Sequence, residues 1–135
     1  MMAGIRSKNT HPELRVRKAL HRLGLRFRLH RRDLPGTPDI VLPKWKAVVE
    51  VRGCFWHRHE GCRYATTPDQ NSDKWATKFA TNTERDRRND TALRRLGWRI
   101  AIVWECSLRS QGPPQIALKV REWLESDEVV LVLSQ

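Results

Sequence analysis

Residues 34–53 read LPGTPDIVLPKWKAVVEVRG, and this stretch decides the fold. A turn rich in proline and glycine precedes Asp39–Leu42, a short apolar run that is typical of a buried strand. Pro43 ends that run, and Ala47–Val51 is a second apolar run bounded by Gly53. The pattern therefore predicts two neighbouring strands of one sheet.

The rest of the chain alternates between helical and strand-like patterns. These segments are, in chain order, a helix over Pro12–Leu23, an alternating, half-buried strand over Leu25–Leu29, a long polar helix from Asp73 to about Leu96, a strand over Trp98–Trp104, a helix from Pro113 to about Leu124 and an edge strand over Val129–Leu133. Residues 52–72 match neither pattern. We therefore expect an α/β fold, with a mixed central sheet flanked by helices, in a single domain over residues 1–135.

Positive charge is concentrated at the N-terminal end of the chain. The 26 Lys+Arg and 15 Asp+Glu residues give a net charge of +11. Residues 1–32 alone carry ten basic residues and one acid, a net charge of +9, whereas residues 113–135 carry −2. A basic front on a folded domain favours a polyanionic partner, with nucleic acid ahead of an anionic membrane surface.

Several classes of protein are disfavoured by the same composition. The longest apolar runs have five residues, far short of the ~20 that a membrane-spanning helix needs. The N-terminus shows no secretory signal, and the count of three cysteines is odd, which does not suit a disulfide framework. We therefore expect a cytoplasmic protein with reduced thiols that are free to bind metal.

Three charged residues of the fold-deciding stretch suggest a catalytic metal site. Asp39 opens the first strand, and alternation places Glu50 and Arg52 on one face of the second. Two carboxylates suit Mg²⁺, and a cation beside them can stabilise charge on a reacting phosphate. The Pro-Asp…Glu-x-Arg pattern resembles the PD-(D/E)xK nuclease core, with Arg in place of Lys. The alternative is a strand-capping Asp and a surface ion pair.

A second constellation predicts a structural zinc site. Cys54, His59 and Cys62 lie within nine residues, and Cys106 follows the Trp98–Trp104 strand. Three thiolates and one imidazole make a tetrahedral Cys₃His site. His57 is a rival ligand; if His59 binds zinc, His57 is left for proton transfer. The alternative is that Cys106 is a small buried residue and that the other two cysteines are free or paired.

Three large aromatic residues are not claimed by an obvious apolar core. Phe55 and Trp56 lie inside the cysteine-containing loop, and Trp75 lies in the polar context Asp73-Lys74-Trp75. Aromatic side chains beside basic residues can wedge into a base stack, which costs a few kcal/mol per opened step. The alternative is that they pack around the zinc.

The loop over residues 53–65 reads GCFWHRHEGCRYA and resembles the signature loop of the very short patch repair (Vsr) endonucleases, which belong to the PD-(D/E)xK superfamily. Further segments resemble that family in the same order along the chain. They are RSKNT at 6–10, LPG-x-PD at 34–39, KF-x-x-N-x-x-RD at 78–86, LGWR at 96–99 and VWEC at 103–106. The resemblance covers roughly residues 4–109.

This resemblance implies a restriction-endonuclease-like core with a structural zinc loop. It also implies an enzyme that cuts one DNA strand 5′ to the thymine of a T:G mismatch, the lesion left when 5-methylcytosine deaminates. Asp39 would be the principal Mg²⁺ ligand and the Val51 carbonyl a second. His57 would act as general base or acid, supported by Asp86.

The resemblance implies DNA contacts and zinc ligands as well. A basic arm over residues 1–12 would cross the minor groove, while Phe55, Trp56 and Trp75 would intercalate beside the mismatch. The implied zinc ligands are Cys54, His59, Cys62 and Cys106, and further DNA contacts fall on Arg6, Lys8, Asn9, Lys78, Asn82 and Arg85.

Two positions depart from the family pattern. The family commonly has an apolar residue where Glu50 stands, and His or Asp where Arg52 stands. We hypothesise that Glu50 adds a metal ligand and that Arg52 contacts phosphate. The chain also begins without the longer N-terminal arm often seen in the family, so weaker minor-groove contacts are expected.

The expected partner is double-stranded DNA with a T:G mismatch, bound by a monomer in the bacterial cytoplasm, at the nucleoid, where mismatch-repair proteins are further expected partners. Three alternatives stay open from the sequence. A broader PD-(D/E)xK nuclease would cut matched duplex, a non-catalytic zinc-containing DNA-binding module would cut nothing, and an RNA-binding domain would fit the charge equally well.

Overall fold

The computed structural model describes residues 10–135, so the predicted contact residues Arg6, Lys8 and Asn9 lie outside the described residues. Helices and strands alternate along the described chain. They are α1 (His11–Arg22), β1 (Arg28–Leu29), β2 (Ile40–Leu42), a 3₁₀ turn (Pro43–Trp45), β3 (Ala47–Arg52), α2 (Ser72–Arg95), β4 (Arg99–Trp104), α3 (Glu105–Gln111), α4 (Pro113–Leu124) and β5 (Val130–Leu133).

The five strands form one mixed sheet in the order β1-β2-β3-β4-β5. The β1–β2 and β2–β3 pairs are antiparallel, whereas β3–β4 and β4–β5 are parallel. Arg52 pairs with Trp104, so β3 and β4 end side by side at one edge. The loop after β3 and the start of α3 therefore meet there. The mixed sheet and its flanking helices confirm the predicted α/β fold.

The sheet has a separate apolar core on each face. Val49 and Val103 pack with residues of α1 and α4, whereas Val48 and Ile100 pack with Leu93 of α2. Because side chains alternate along a strand, the two positions after Val48 on its face, 50 and 52, lie on the side that α2 covers. The polar end of β3 is thus placed under α2.

The structure corrects the predicted strand over Leu25–Leu29. Only Arg28 and Leu29 pair with β2, and Leu29 is 40% exposed. The Leu25 N–H donates instead to the Leu20 carbonyl at 3.2 Å, which completes the end of α1, and its side chain packs into the core. The alternating apolar and basic residues over 25–29 therefore belong to the segment that follows α1, and only the last two of them lie in a strand.

Helix α3 was not predicted from the sequence. Its seven residues follow β4 directly and bury Cys106 and Leu108, and Gly112 ends it with φ of +87°, a conformation that glycine adopts readily. Within residues 10–135, no helix is long and apolar enough to cross a membrane.

Candidate active site and metal centre

Asp39 and the end of β3 lie together, as the sequence predicted. The pairing of Ile40 with Val49 continues one step to place Asp39 across from Glu50. One Asp39 carboxylate oxygen, Oδ2, accepts a hydrogen bond from the Val51 N–H at 2.9 Å. The carboxylate is therefore fixed between the ends of β2 and β3.

Glu13 of α1 adds a third carboxylate that the sequence reasoning missed. Its side chain is only 1% exposed. Glu13 Oε2 lies 2.9 Å from His30 Nε2 and accepts from Arg17 at 3.2 Å. The ligand atoms of Glu13, His30 and Asp39 all lie within 4.8 Å of one another. The helical spacing of Glu13 to buried Val16 could have revealed it, since both lie on the buried face of α1.

The electrostatics of these carboxylates favour a bound cation. Burial raises the pKa of Asp39 and outweighs the opposing Val51 hydrogen bond, and with the nearby Glu13 also raising it the pKa reaches about 7. Burial, together with Asp39, also raises the pKa of Glu50 well above its ordinary value. Carboxylates so crowded and poorly hydrated ionise together only when positive charge balances them. Hard oxygen donors of this kind fit a divalent cation such as Mg²⁺.

Arg52 supplies one fixed positive charge beside the carboxylates. It is 7% exposed, and its Nη2 donates to both carboxylate oxygens of Asp90 in α2, at 2.7 and 2.9 Å. Arg52 lowers the pKa values of Asp39 and Glu50, although burial outweighs it in both. Its buried Nε has no hydrogen-bond partner among the described residues. Asp90, which the sequence reasoning did not single out, anchors this cation to α2.

His57 forms a pair with Asp86 of α2 rather than joining the cysteines. Its Nδ1 lies 2.6 Å from Asp86 Oδ2, and the two side chains are 31% and 21% exposed. A carboxylate accepts hydrogen bonds, so Nδ1 carries the proton and Nε2 is the acceptor nitrogen. The arrangement can move a proton at Nε2 while Asp86 orients the ring.

The four predicted zinc ligands form one cluster. The ligand atoms of Cys54, His59, Cys62 and Cys106 lie within 4.8 Å of one another, and Cys106 Sγ is 3.5 Å from His59 Nδ1. The His59 ring stacks on Trp104, with ring centroids 4.1 Å apart. The parallel β3–β4 pair brings these residues together, because Cys54 follows one strand and Cys106 the other.

The donor types of this cluster suit zinc, although burial disfavours the Cys54 thiolate in the absence of a cation. Burial raises the pKa of Cys54 to about 12, and burial lowers the pKa of His59, which favours the neutral imidazole. Three thiols and one imidazole, closely spaced, are the donor set of tetrahedral zinc. A bound zinc ion would hold the sulfurs as thiolates and stabilise the loop around them.

The three predicted aromatic residues lie in one cluster with Phe79. The Phe55 centroid is 5.2 Å from Trp56, 5.5 Å from Trp75 and 5.2 Å from Phe79. Phe79 is 7% exposed, and the other three rings are half-buried. The Arg58 guanidinium lies 4.0 Å above the Phe79 ring. The cluster thus joins the cysteine loop to the first turns of α2 and keeps part of its surface open.

Helix α2 carries different chemistry on its two sides. Phe79, Asp86, Asp90 and Leu93 recur at helical spacing on the side that faces the sheet and loop. On the exposed side, Lys78, Asn82 and Arg85 line an open groove, and Arg85 donates to Asn82 at 3.0 Å. One helix therefore joins the face that carries Asp86 and Asp90 to a basic surface.

The chain is similar to known DNA endonucleases and nicking enzymes. The family described as DNA mismatch endonuclease Vsr matches residues 1–63. The type II nicking enzyme V.XorIIP of Xanthomonas oryzae pv. oryzae is 50% identical over 119 residues, which are 88% of this chain and 87% of that protein.

Two further relatives cover similar lengths. The type II nicking enzyme V.NmeAIP of Neisseria meningitidis is 43% identical over 112 residues, or 83% of this chain and 79% of that protein. The DNA mismatch endonuclease Vsr of Escherichia coli is 37% identical over 126 residues, or 91% of this chain and 80% of that protein. This chain therefore belongs to the Vsr family of DNA endonucleases.

Proposed function

We propose that this protein nicks one strand of duplex DNA 5′ to the thymine of a T:G mismatch, by Mg²⁺-assisted hydrolysis of one phosphodiester. The observation that carries the proposal is the placement of Asp39 beside Glu13 of α1 and near Glu50 of β3, in a chain of an endonuclease family. The His57–Asp86 pair on the facing helix supports it further.

Asp39, Glu50 and the Val51 carbonyl would hold the divalent cation, with Glu13 beside them. When bound, the cation would supply positive charge that stabilises the reacting phosphate and the leaving oxygen. The Val51 N–H keeps Asp39 in place for this task. Arg52, held by Asp90, would add positive charge toward the same phosphate.

His57 would act as the general base or acid at the scissile phosphate. Asp86 fixes the ring through Nδ1, which leaves Nε2 to accept a proton from the attacking water or to return one. Because Asp86 lies in α2 and His57 in the loop after β3, this pair needs the loop and the helix to keep their relative position.

Glu50→Gln is expected to raise the Mg²⁺ concentration for half-maximal nicking about tenfold, because a neutral amide is a weaker ligand for a hard cation. The measurement is the nicking rate across a Mg²⁺ titration. Glu60→Gln is the matched control, since Glu60 is an exposed acid of the cysteine loop. A Glu50→Gln protein with wild-type Mg²⁺ dependence would remove Glu50 from the ligand set.

Mismatch recognition would use the aromatic cluster. Phe55, Trp56 and Trp75 are only half-buried, so their open edges are available to enter the base stack. Unstacking a T:G pair costs less free energy than unstacking a matched pair, because the mismatched bases are paired less stably. Insertion of these rings would therefore select the mismatch.

Trp75→Ala is expected to slow nicking of the mismatched duplex about 10- to 100-fold, since stacking on a base is worth about 1–3 kcal/mol. The control is Tyr64→Ala, since Tyr64 is an aromatic residue of the cysteine-containing loop that instead contacts Arg63 and Arg109. Single-turnover nicking rates of both variants make the comparison. Equal losses in the two variants would argue against a wedge role for Trp75.

DNA would be held along the basic surfaces. Lys78, Asn82 and Arg85 of α2 would contact phosphates near the mismatch, and the arm over residues 1–12, with Arg6, Lys8 and Asn9, would follow the minor groove. Cys54, His59, Cys62 and Cys106 would bind structural zinc. The protein is proposed to act as a single-domain monomer in the bacterial cytoplasm, at the nucleoid, with mismatch-repair proteins as partners.

The decisive experiment compares two end-labelled duplexes with Mg²⁺, identical except for one T:G mismatch in a methylation-site context. A single nick 5′ to the mismatched thymine is the expected result. Equal cutting of both duplexes would support a broader nuclease on the same fold. Binding without cutting of either would point to a zinc-containing binding module.

A further inference from the structure

His30 lies beside the proposed catalytic cation site and is not among its ligands proposed above. Its Nε2 lies 2.9 Å from Glu13 Oε2, and its side chain is 16% exposed. Its nearest ring nitrogen lies within 4.8 Å of ligand oxygens on both Glu13 and Asp39. Two carboxylates and an imidazole therefore converge on one point.

The backbone fixes His30 at this point. Its N–H donates to the Asp39 carbonyl at 3.2 Å, which continues the β1–β2 ladder to the residue that carries the catalytic carboxylate. His30 therefore cannot drift from Asp39 without opening the end of β1. The imidazole is held close to the site before any ion binds.

Pairing with Glu13 does not by itself account for His30. Arg17 already places a permanent positive charge 3.2 Å from the same carboxylate oxygen of Glu13. The other charged groups near the site are the acids Asp39 and Glu50 and the cation Arg52, which Asp90 of α2 holds. An imidazole nitrogen beside these carboxylates adds a further donor at the point where the acids attract a cation.

We propose that His30 is a nitrogen ligand of the catalytic divalent cation, and that it strengthens binding of Mn²⁺ or Co²⁺ at this site relative to binding of Mg²⁺. Mg²⁺ takes oxygen ligands almost exclusively, whereas imidazole strengthens binding of later divalent metals. The inference rests on the proposed function, because it uses the cation site of Asp39 and Glu13. It adds a residue that changes the relative affinity of that site for these ions.

The test uses the zinc-loaded full chain and Mn²⁺ alone. Pulsed electron paramagnetic resonance of bound Mn²⁺ is expected to show coupling to a directly bound ¹⁴N nucleus, replaced by ¹⁵N coupling when only histidine is ¹⁵N-labelled. His30→Gln is expected to remove that coupling. It should also weaken Mn²⁺ binding about tenfold while changing Mg²⁺ binding less than about twofold.

His21→Gln is the matched control, because His21 is an exposed histidine of α1 outside the cluster, and it should keep both the coupling and the affinities. Wild-type protein that binds Mn²⁺ without histidine nitrogen coupling overturns the proposal, whether or not His30→Gln folds. Unchanged coupling in folded His30→Gln overturns it equally.

Asp39→Ala separates this inference from the proposed function. If Asp39→Ala abolishes Mn²⁺ binding while His30→Gln retains the coupling and the wild-type Mn²⁺ affinity, only the role of His30 is wrong. If Asp39→Ala binds Mn²⁺ as wild type does, the proposed cation site is wrong and His30 falls with it.

Discussion

Asp39→Ala is expected to abolish nicking, with a loss of about 10³-fold or more, while DNA binding is retained. The substitution removes the carboxylate that the Val51 N–H holds at the ends of β2 and β3. A catalytic cation contributes several kcal/mol of charge stabilisation in the transition state, and about 4 kcal/mol corresponds to 10³-fold in rate. Removing a negative charge near the DNA backbone reduces repulsion, so affinity should be equal or higher.

The measurement pairs a nicking assay on the T:G duplex with fluorescence anisotropy for DNA binding. Folding is expected to survive the change, because the variant removes a carboxyl group whose burial, together with the nearby Glu13, raises its pKa to about 7. Asp127→Ala is the control, since Asp127 is an exposed acid between α4 and β5. Nicking at the wild-type rate by Asp39→Ala would remove this carboxylate from the active site.

Local patterns in the sequence were enough to predict the site residues at the ends of β2 and β3. Two short apolar runs separated by Pro43 predicted β2 and β3. Antiparallel pairing of those strands then brings Asp39 to Glu50 without any further information. Cys54, His59 and Cys62 are likewise so close in sequence that a turn is enough to bring their side chains together. In each case the contact follows from neighbours along the chain.

Residues that reach the site by packing were not predicted. Glu13 arrives on α1, and His30 arrives at the end of β1, so their meeting depends on how a helix docks on the sheet. Asp90 contacts Arg52 from 38 residues away. The spacing of such residues along the chain carries no trace of the contact, although a lone acid on the apolar face of a helix is a detectable anomaly.

The roles of His57 and His59 also could not be separated by local spacing in the sequence. Both lie between Cys54 and Cys62, so spacing alone left them as rivals. The structure separates them by partners that are remote in sequence. Asp86 of α2 contacts His57, and Cys106 with the Trp104 ring contacts His59. With His59 beside the thiols, the same loop presents His57 toward α2, so the proposed metal binding and the proposed proton transfer depend on one loop conformation.

Loss of the cysteine–histidine site is therefore expected to reduce both the nicking activity and the thermal stability of the protein. The purified protein should contain one zinc per chain, and His59→Ala should lose it. Structural zinc contributes about 10–16 kcal/mol in small zinc-dependent folds. Here the sheet has apolar cores of its own on both faces. We expect only part of that energy to appear in global unfolding, as a Tm lowered by roughly 10 °C.

His59→Cys provides the matched rescue, because four thiolates also bind zinc tetrahedrally. His59→Cys should regain zinc, most of the Tm and measurable nicking. His59→Ala should lose nicking, because His57 and the Phe55 ring lie in the loop that zinc would no longer hold. Metal content by mass spectrometry, thermal unfolding and the T:G nicking assay make the comparison. A His59→Ala protein that keeps stoichiometric zinc would exclude His59 as a ligand. A zinc-free protein with wild-type nicking would show that the loop holds His57 against Asp86 without metal.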